Sequence, residues 1–479
     1  VPALFFFPIP RLDIGVRLVI VGRMMKYYPR FRPSWNALLA LGIIAPRLWA
    51  ADDASASAGA TPSTTSAVTI SPAPAADAAP ATGFWDRDNL LPDWDSWRSN
   101  LNDAGWKPFA IWTGEIWDNA NGGIRDGMTQ ISQLSFGGEA DLEKLAGWKG
   151  ATIRLSFNWI EGNNPNHNTG ALASPTYYNP SNQMRLYNFY LKQKLLDDQL
   201  TIKVGQMGID DDFSEPASLG IFLNAAITAA PTIYDQALAN GDTTFPQYSV
   251  DGPGVFARYD SKDLPVYGQV GVYMSDPGPD VSNNHGFDWR GGGGAAVLAE
   301  TGWNYQIAQL PGTIAVGGFY NHGQFTNWDT NAVERGIYGS YGFVNQTLWQ
   351  KMGADGTTPD SSLVGFAYGG VSGPYTRVGP ASDFATGLNW AGPLPGRPQD
   401  TAGLAMLYTR FSPNYTRSAF NPNGAGVTTA AETAMELTYQ IAVTPWFSVQ
   451  PDAQVIFNPA YAGTRATAIV IGLHVVVTF

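Results

Sequence analysis

Asp210, Asp211, Asp212 and Glu215 form a run of oxygen ligands that could hold calcium, but the run lacks the glycine spacing of an EF-hand and reads as a solvated turn. The four histidines, His167, His285, His322 and His474, are scattered, three of them in expected loops, and none has metal-ligand spacing with another. Gly291 to Gly294 lacks the Lys-Ser/Thr of a phosphate-binding loop and reads as a flexible strand edge. There is no cysteine, which excludes thiol catalysis and a disulfide scaffold. A serine hydrolase stays formally open, because its partners meet in space rather than in sequence. Neither the histidines nor the glycine run calls for a metal or an organic cofactor, and none is expected.

A second kind of chemistry is better supported. Polar side chains recur at every second position, the spacing that places them on one face of a strand. By this parity the inward-facing residues are Glu115, Trp117, Arg154, Asn158, Lys203, Arg258, Tyr267, Glu436, Gln440, Gln450, Asp452 and Gln454. Such a set can line a hydrated path with hydrogen-bonding groups and charges. Arg154, Arg258, Glu436 and Asp452 come first, as long polar side chains on strongly alternating segments. The plainer reading of each is a structural one, since any barrel interior is polar and Arg–carboxylate pairs can simply brace it.

The elements that must carry these residues are strands. In Ala151 to Ile160, Ile153, Leu155, Phe157 and Trp159 oppose Thr152, Arg154, Ser156 and Asn158. In Arg185 to Lys194, Tyr187, Phe189 and Leu191 oppose Asn188, Tyr190, Lys192 and Lys194. Thr433 to Val443 and Phe447 to Phe457 repeat the pattern, and Ile469, Ile471, Leu473, Val475, Val477 and Phe479 share one face of the last segment. A one-sided strand closing on Phe suits a bacterial outer-membrane barrel, whose lipid-facing residues alternate with lumen-facing ones. Trp159, Trp349, Trp390 and Trp446 are candidates for its interfacial girdles. About 370 residues accommodate about 16 strands of 9 to 11 residues, with 18 the other even count considered. Gly162 to Asn182, Ala229 to Tyr248, Asp276 to Arg290 and Gly353 to Ser362 read as loops.

Composition agrees. Charged residues make up 14% of the 479, where soluble domains carry about 25%. Basic residues from Lys26 to Arg32 precede the apolar run Ala37 to Ala45, which is too short to span a bilayer and reads as a secretory signal. Cleavage is expected near Ala50 or Ala51, and the residues before Met24 read as upstream sequence. The expected organisation is signal and upstream residues 1–50, an Ala/Ser/Pro-rich disordered tether 51–83, a helical segment 84–106 and a barrel 107–479. In the helical segment Asp93 caps a helix carrying Trp94, Trp97 and Leu101 on one face, either packed on the barrel or plugging its periplasmic mouth. Without residues 1–50 the chain has 21 basic and 39 acidic side chains, a net charge of −18, which disfavours nucleic acid and sets a weak expectation against anions.

Four segments together resemble the carbohydrate-selective porin family, OprB: Leu91 to Trp106 (LPDWDSWRSNLNDAGW), Glu115 with Gly122-Gly123, Asp141 to Gly150 (DLEKLAGWKG), and Glu436 to Pro459, with its Pro445-Trp446 step and Gln450-Pro451-Asp452. The resemblance runs from about Trp85 to Phe479, and departs where Ala460-Tyr461 replaces the expected Gly-Gly after Asn458-Pro459. It implies an all-β, 16-stranded transmembrane antiparallel barrel, with a short N-terminal helix, that passes small sugars into the periplasm. Sugars are uncharged, so a constriction selecting them combines polar side chains with Trp or Tyr and binds weakly enough to release. The expected partners are small carbohydrates, outer-membrane lipid, the barrel-assembly machinery reading the Phe479 strand, and further copies of the chain. A channel exporting saccharide would have a wide, strongly charged lumen. A secreted soluble carbohydrate-binding or carbohydrate-cleaving β-protein would use similar residues.

Overall fold

The computed structural model describes residues 83–479 apart from 229–244, 279, 288, 290–292, 355, 357, 419–429 and 462–464. The expected signal, its cleavage point, the tether up to residue 82 and parts of the Ala229 to Tyr248 loop and the Gly291 to Gly294 run lie outside the described residues.

Alternation becomes strands almost everywhere it occurs. In chain order they are β1 (Trp106–Gly123), β2 (Gly127–Asp141), β3 (Ala151–Gly162), β4 (Gln183–Leu195), β5 (Leu200–Met207), β6 (Gly252–Asp260), β7 (Val266–Met274) and β8 (Ala295–Ile307). They continue as β9 (Leu310–Thr326), β10 (Val333–Met352), β11 (Pro359–Gly373), β12 (Pro380–Ala391), β13 (Thr401–Phe411), β14 (Ala431–Thr444), β15 (Phe447–Phe457) and β16 (Ala466–Thr478). Each pairs antiparallel with its neighbours in sequence, and β1 pairs with β16 to close the barrel. Closure removes the two free edges that an open sheet would expose. At the closing seam Trp117 stands opposite Gly472, where an added Cβ would lie 2.3 Å from the indole, so glycine lets the ring lie flat on the neighbouring strand.

Apolar residues face outward. On β16, Ile469, Ile471 and Leu473 are exposed while Ala468, Val470 and His474 are buried, the inversion of a soluble protein that a lipid solvent requires. Trp159, Trp349 and Trp390 are exposed near strand ends, as a girdle requires. Trp446 is not, because Phe84 packs on it edge to face and takes its Nε1 hydrogen bond on the backbone carbonyl.

The connections differ at the two ends. Residues 196–199, 261–265 and 308–309 make short turns at one end, whereas 163–182, 208–251 and 275–294 make long loops at the other, the periplasmic and extracellular pattern of such barrels. The expected loop Gly353 to Ser362 is shorter, since β11 resumes at Pro359, a first strand position where proline's missing N–H is tolerated. Two histidines, His167 and His285, lie in loops; His322 belongs to β9. Tyr187 also departs from its expected outward face. Leu155 pairs with Phe189 but Phe157 with Leu186, so Tyr187 and Asn188 both oppose Ser156, and this bulge turns Tyr187 inward.

The N-terminal segment forms a 3-10 turn (Trp94–Ser96) and a helix, α1 (Trp97–Asp103). Asp93 accepts from the amides of Arg98 at 2.7 Å and Ser99 at 3.2 Å. Trp94, Trp97 and Leu101 remain exposed, so the segment is tied to the short-turn end by backbone contacts such as Leu90 N–H to Thr478 O rather than by that face.

Candidate functional site in the barrel lumen

Two long loops fold back into the barrel. The segments around Leu172 and Ala173, after β3, and Leu219 to Ile227, after β5, are buried inside it among Phe366, Tyr368 and Leu407 of the wall. Their apolar residues explain why they leave water. Their backbone amides then need partners, because an unpaired buried N–H costs about 1–3 kcal/mol.

Wall carboxylates meet that need. Glu432 accepts from Leu172 N–H at 2.8 Å and Ala173 N–H at 2.7 Å; Glu436 accepts from Leu223 N–H at 2.6 Å and Asn224 N–H at 3.0 Å. Glu300 accepts from Ser214 N–H at 2.8 Å and from the hydroxyls of Tyr267 and Tyr341. Gln450 donates to Ile221 O at 2.6 Å, and Gln454 donates to Pro175 O and to Asp452 while accepting from Asn224. Glu436, Gln450, Asp452 and Gln454 thus come together on β14 and β15 beneath the inserted loops, all buried.

Glu115 and Trp117 form another buried group, in which His474 Nδ1 lies 2.8 Å from one Glu115 oxygen and Trp117 Nε1–H donates to the other at 2.8 Å. Asn158 accepts from Ser135 Oγ. Gln440 stands apart, opposite Thr401 near the short turns.

The remaining candidates lie on β3, β5 and β6. Arg154 pairs with Glu139 at 3.0 Å and lies over Phe109. Lys203 pairs with Asp212 at 2.6 Å, between the rings of Tyr190 and Phe256. Arg258 is held by Asp260 and lies 3.9 Å over the ring of Tyr267.

Several residues that matter here escaped the sequence reading. Glu432 and Glu300 obey the same parity, two turns of the pleat from Glu436 and two residues from Leu298, and would have followed from a longer β14 and a read of β8. Arg185 is buried, with Asp280 at 2.8 Å and the carbonyls of Asn284 and Ser249 as acceptors, so one side chain ties two loops to β4.

The aspartate run is not a solvated turn. Asp210 and Asp211 are buried with Asp251 under the second loop. Asn188 Nδ2 bridges Asp251 at 2.7 Å and Asp211 at 3.3 Å, and Tyr248 N–H donates to Asp210. A Cβ on Gly208 would lie 2.4 Å from Asp210 Oδ1 and 2.9 Å from Asp251 Oδ1, so glycine is what lets the two carboxyls converge. Burial pushes Asp210 up to about 6 and Asp211 up to about 7, and raises Asp251 as well. Among the described residues no group of three or more His, Asp or Glu side chains is placed to hold a metal ion.

A closed sixteen-stranded barrel with an apolar outer face, and with polar wall residues holding loops across its lumen, is an outer-membrane porin. The chain belongs to the carbohydrate-selective porin, OprB family, which matches residues 125–479. It is 24% identical over 434 residues to Porin B of Pseudomonas aeruginosa, covering 81% of this chain and 91% of that one. The high-pH structure of Pseudomonas putida OprB superposes with a TM-score of 0.72 at 22% identity, over 83% of this chain and all of that one. The low-pH structure of the same protein gives 0.53 at 19%, over 82% and 99%. The protein is an outer-membrane sugar porin.

Proposed function

We propose that small neutral sugars diffuse through this lumen down their gradient into the periplasm, with no chemical step. The observation that carries the reading is the pair of inserted loops fixed to wall carboxylates, which narrows the path through the barrel. The same narrowing weighs against export of polysaccharide. Sugar hydroxyls meet Asn158, Arg154, Lys203, Arg258 and Tyr267, where charged and aromatic groups sit side by side. Glu115, Trp117, Glu436, Gln440, Gln450, Asp452 and Gln454 act on permeation mainly through the loops and wall that they brace. Residues 1–50 direct export and are removed near Ala50 or Ala51, the tether lies in the periplasm, and the Phe479 strand is read by the barrel-assembly machinery. The porin works beside further copies of itself.

Liposome swelling tests this reading. Vesicles containing the purified protein are expected to swell fastest in monosaccharide and progressively more slowly in di- and trisaccharides. Swelling no faster than that of protein-free vesicles would overturn it.

A further inference from the structure

Besides Arg185, six cations on β1 and β3 to β6 share the inward-facing parity. Lys107 on β1 and Arg154 on β3 both stand opposite Glu139 of β2. Lys192 on β4 stands opposite Lys203 on β5, and Thr201 lies between Lys194 and Arg258. All six are in the half of the barrel nearest the short turns. Across the β1–β16 seam, β14 and β15 present Glu432, Glu436 and Asp452.

Four of the six are compensated: Arg154 by Glu139, Lys203 by Asp212, Arg258 by Asp260 and Lys194 by Asp198 at 3.7 Å. Lys107 and Lys192 make no ion pair among the described residues. Lys192 is half-buried, with Arg154, Lys194 and Lys203 as like-charged neighbours and Glu139, already bound to Arg154, as the carboxylate within reach. Removing an ammonium partly from water among like charges is unfavourable unless an anion visits it. Neutral hydroxyls do not supply that charge. Overall acidity does not prevent it, because the field at a site depends on where the charges lie.

We infer that this wall is a subsite for hydroxylated carboxylic acids of sugar size, with the carboxylate at Lys192 and the hydroxyls on the neighbouring polar groups. The inference rests on the sugar-porin reading and extends it to sugar acids.

The test is current block of the full-length protein in a planar bilayer by gluconate and by glucose, at matched concentration. Gluconate is expected to block several-fold more strongly, and the gluconate-to-glucose ratio to fall toward one in Lys192→Gln. The wild-type ratio is also expected to fall as salt rises from about 0.1 M to about 1 M, because the screening length shrinks from about 10 Å to about 3 Å. This second measurement does not depend on the variant folding. Equal block by the two solutes, or a ratio that survives both the substitution and the salt, overturns the inference and leaves the sugar reading standing. Channels blocked by neither solute overturn both.

Discussion

Glu436→Ala is expected to raise single-channel conductance and to weaken discrimination between sugars of different size. The carboxylate holds two consecutive amides of the inserted loop, Leu223 and Asn224. A buried amide left without its acceptor costs about 1–3 kcal/mol, so losing both acceptors removes on the order of 2 kcal/mol or more from docking of that segment. The barrel should survive, because β14 keeps its full ladders with β13 and β15. Glu436→Gln retains one carbonyl acceptor and is expected to fall between the two. A folded Glu436→Ala barrel with unchanged conductance and sieving would mean that the loop is held elsewhere.

Alkaline pH should act on the same loop from its other side. Asp210, Asp211 and Asp251 are acids whose folded values lie above the ordinary carboxylate range, with burial as the first cause. Raised folded values mean that the docked loop binds protons more tightly than the free loop. Docking is therefore strongest below about pH 4, where both states are protonated, and is lost as pH rises through the values of about 6 and 7. Hydrogen-exchange protection of residues 209–228, corrected for intrinsic chemistry, is expected to be lower at about pH 8 than at about pH 5 by a factor of roughly ten or more. Asp251→Asn should flatten this dependence, because it removes one of the converging charges while keeping an acceptor. A flat wild-type profile, or a slope unchanged in Asp251→Asn, would assign the cluster a purely structural role.

The barrel was legible because lipid outside and water inside impose a period of two that survives in β3, β14, β15 and β16. Where the pleat is interrupted the reading fails. Tyr187 sits at a bulge whose extra residue moves it to the other face, and nothing in Arg185 to Lys194 marks the insertion. The lumen was legible by residue type but not by role. Glu436, Gln450 and Gln454 were placed on the inner face by parity, yet their partners lie more than 200 residues away in loops whose fold into the barrel leaves no periodic trace. Asp210 and Asp211 look like surface residues until Gly208 and Asn188 are brought beside them. Trp446 had the right type and strand end for a girdle, and only the return of Phe84 to its ring removes it from lipid.

Sugar discrimination by a narrowed lumen is tested most directly by titrating single-channel current with glucose and then with a neutral disaccharide at fixed salt. Saturable block, tighter for one sugar than the other and relaxed in Glu436→Ala, is the predicted result. Stable channels whose current falls only as solution viscosity rises would contradict it.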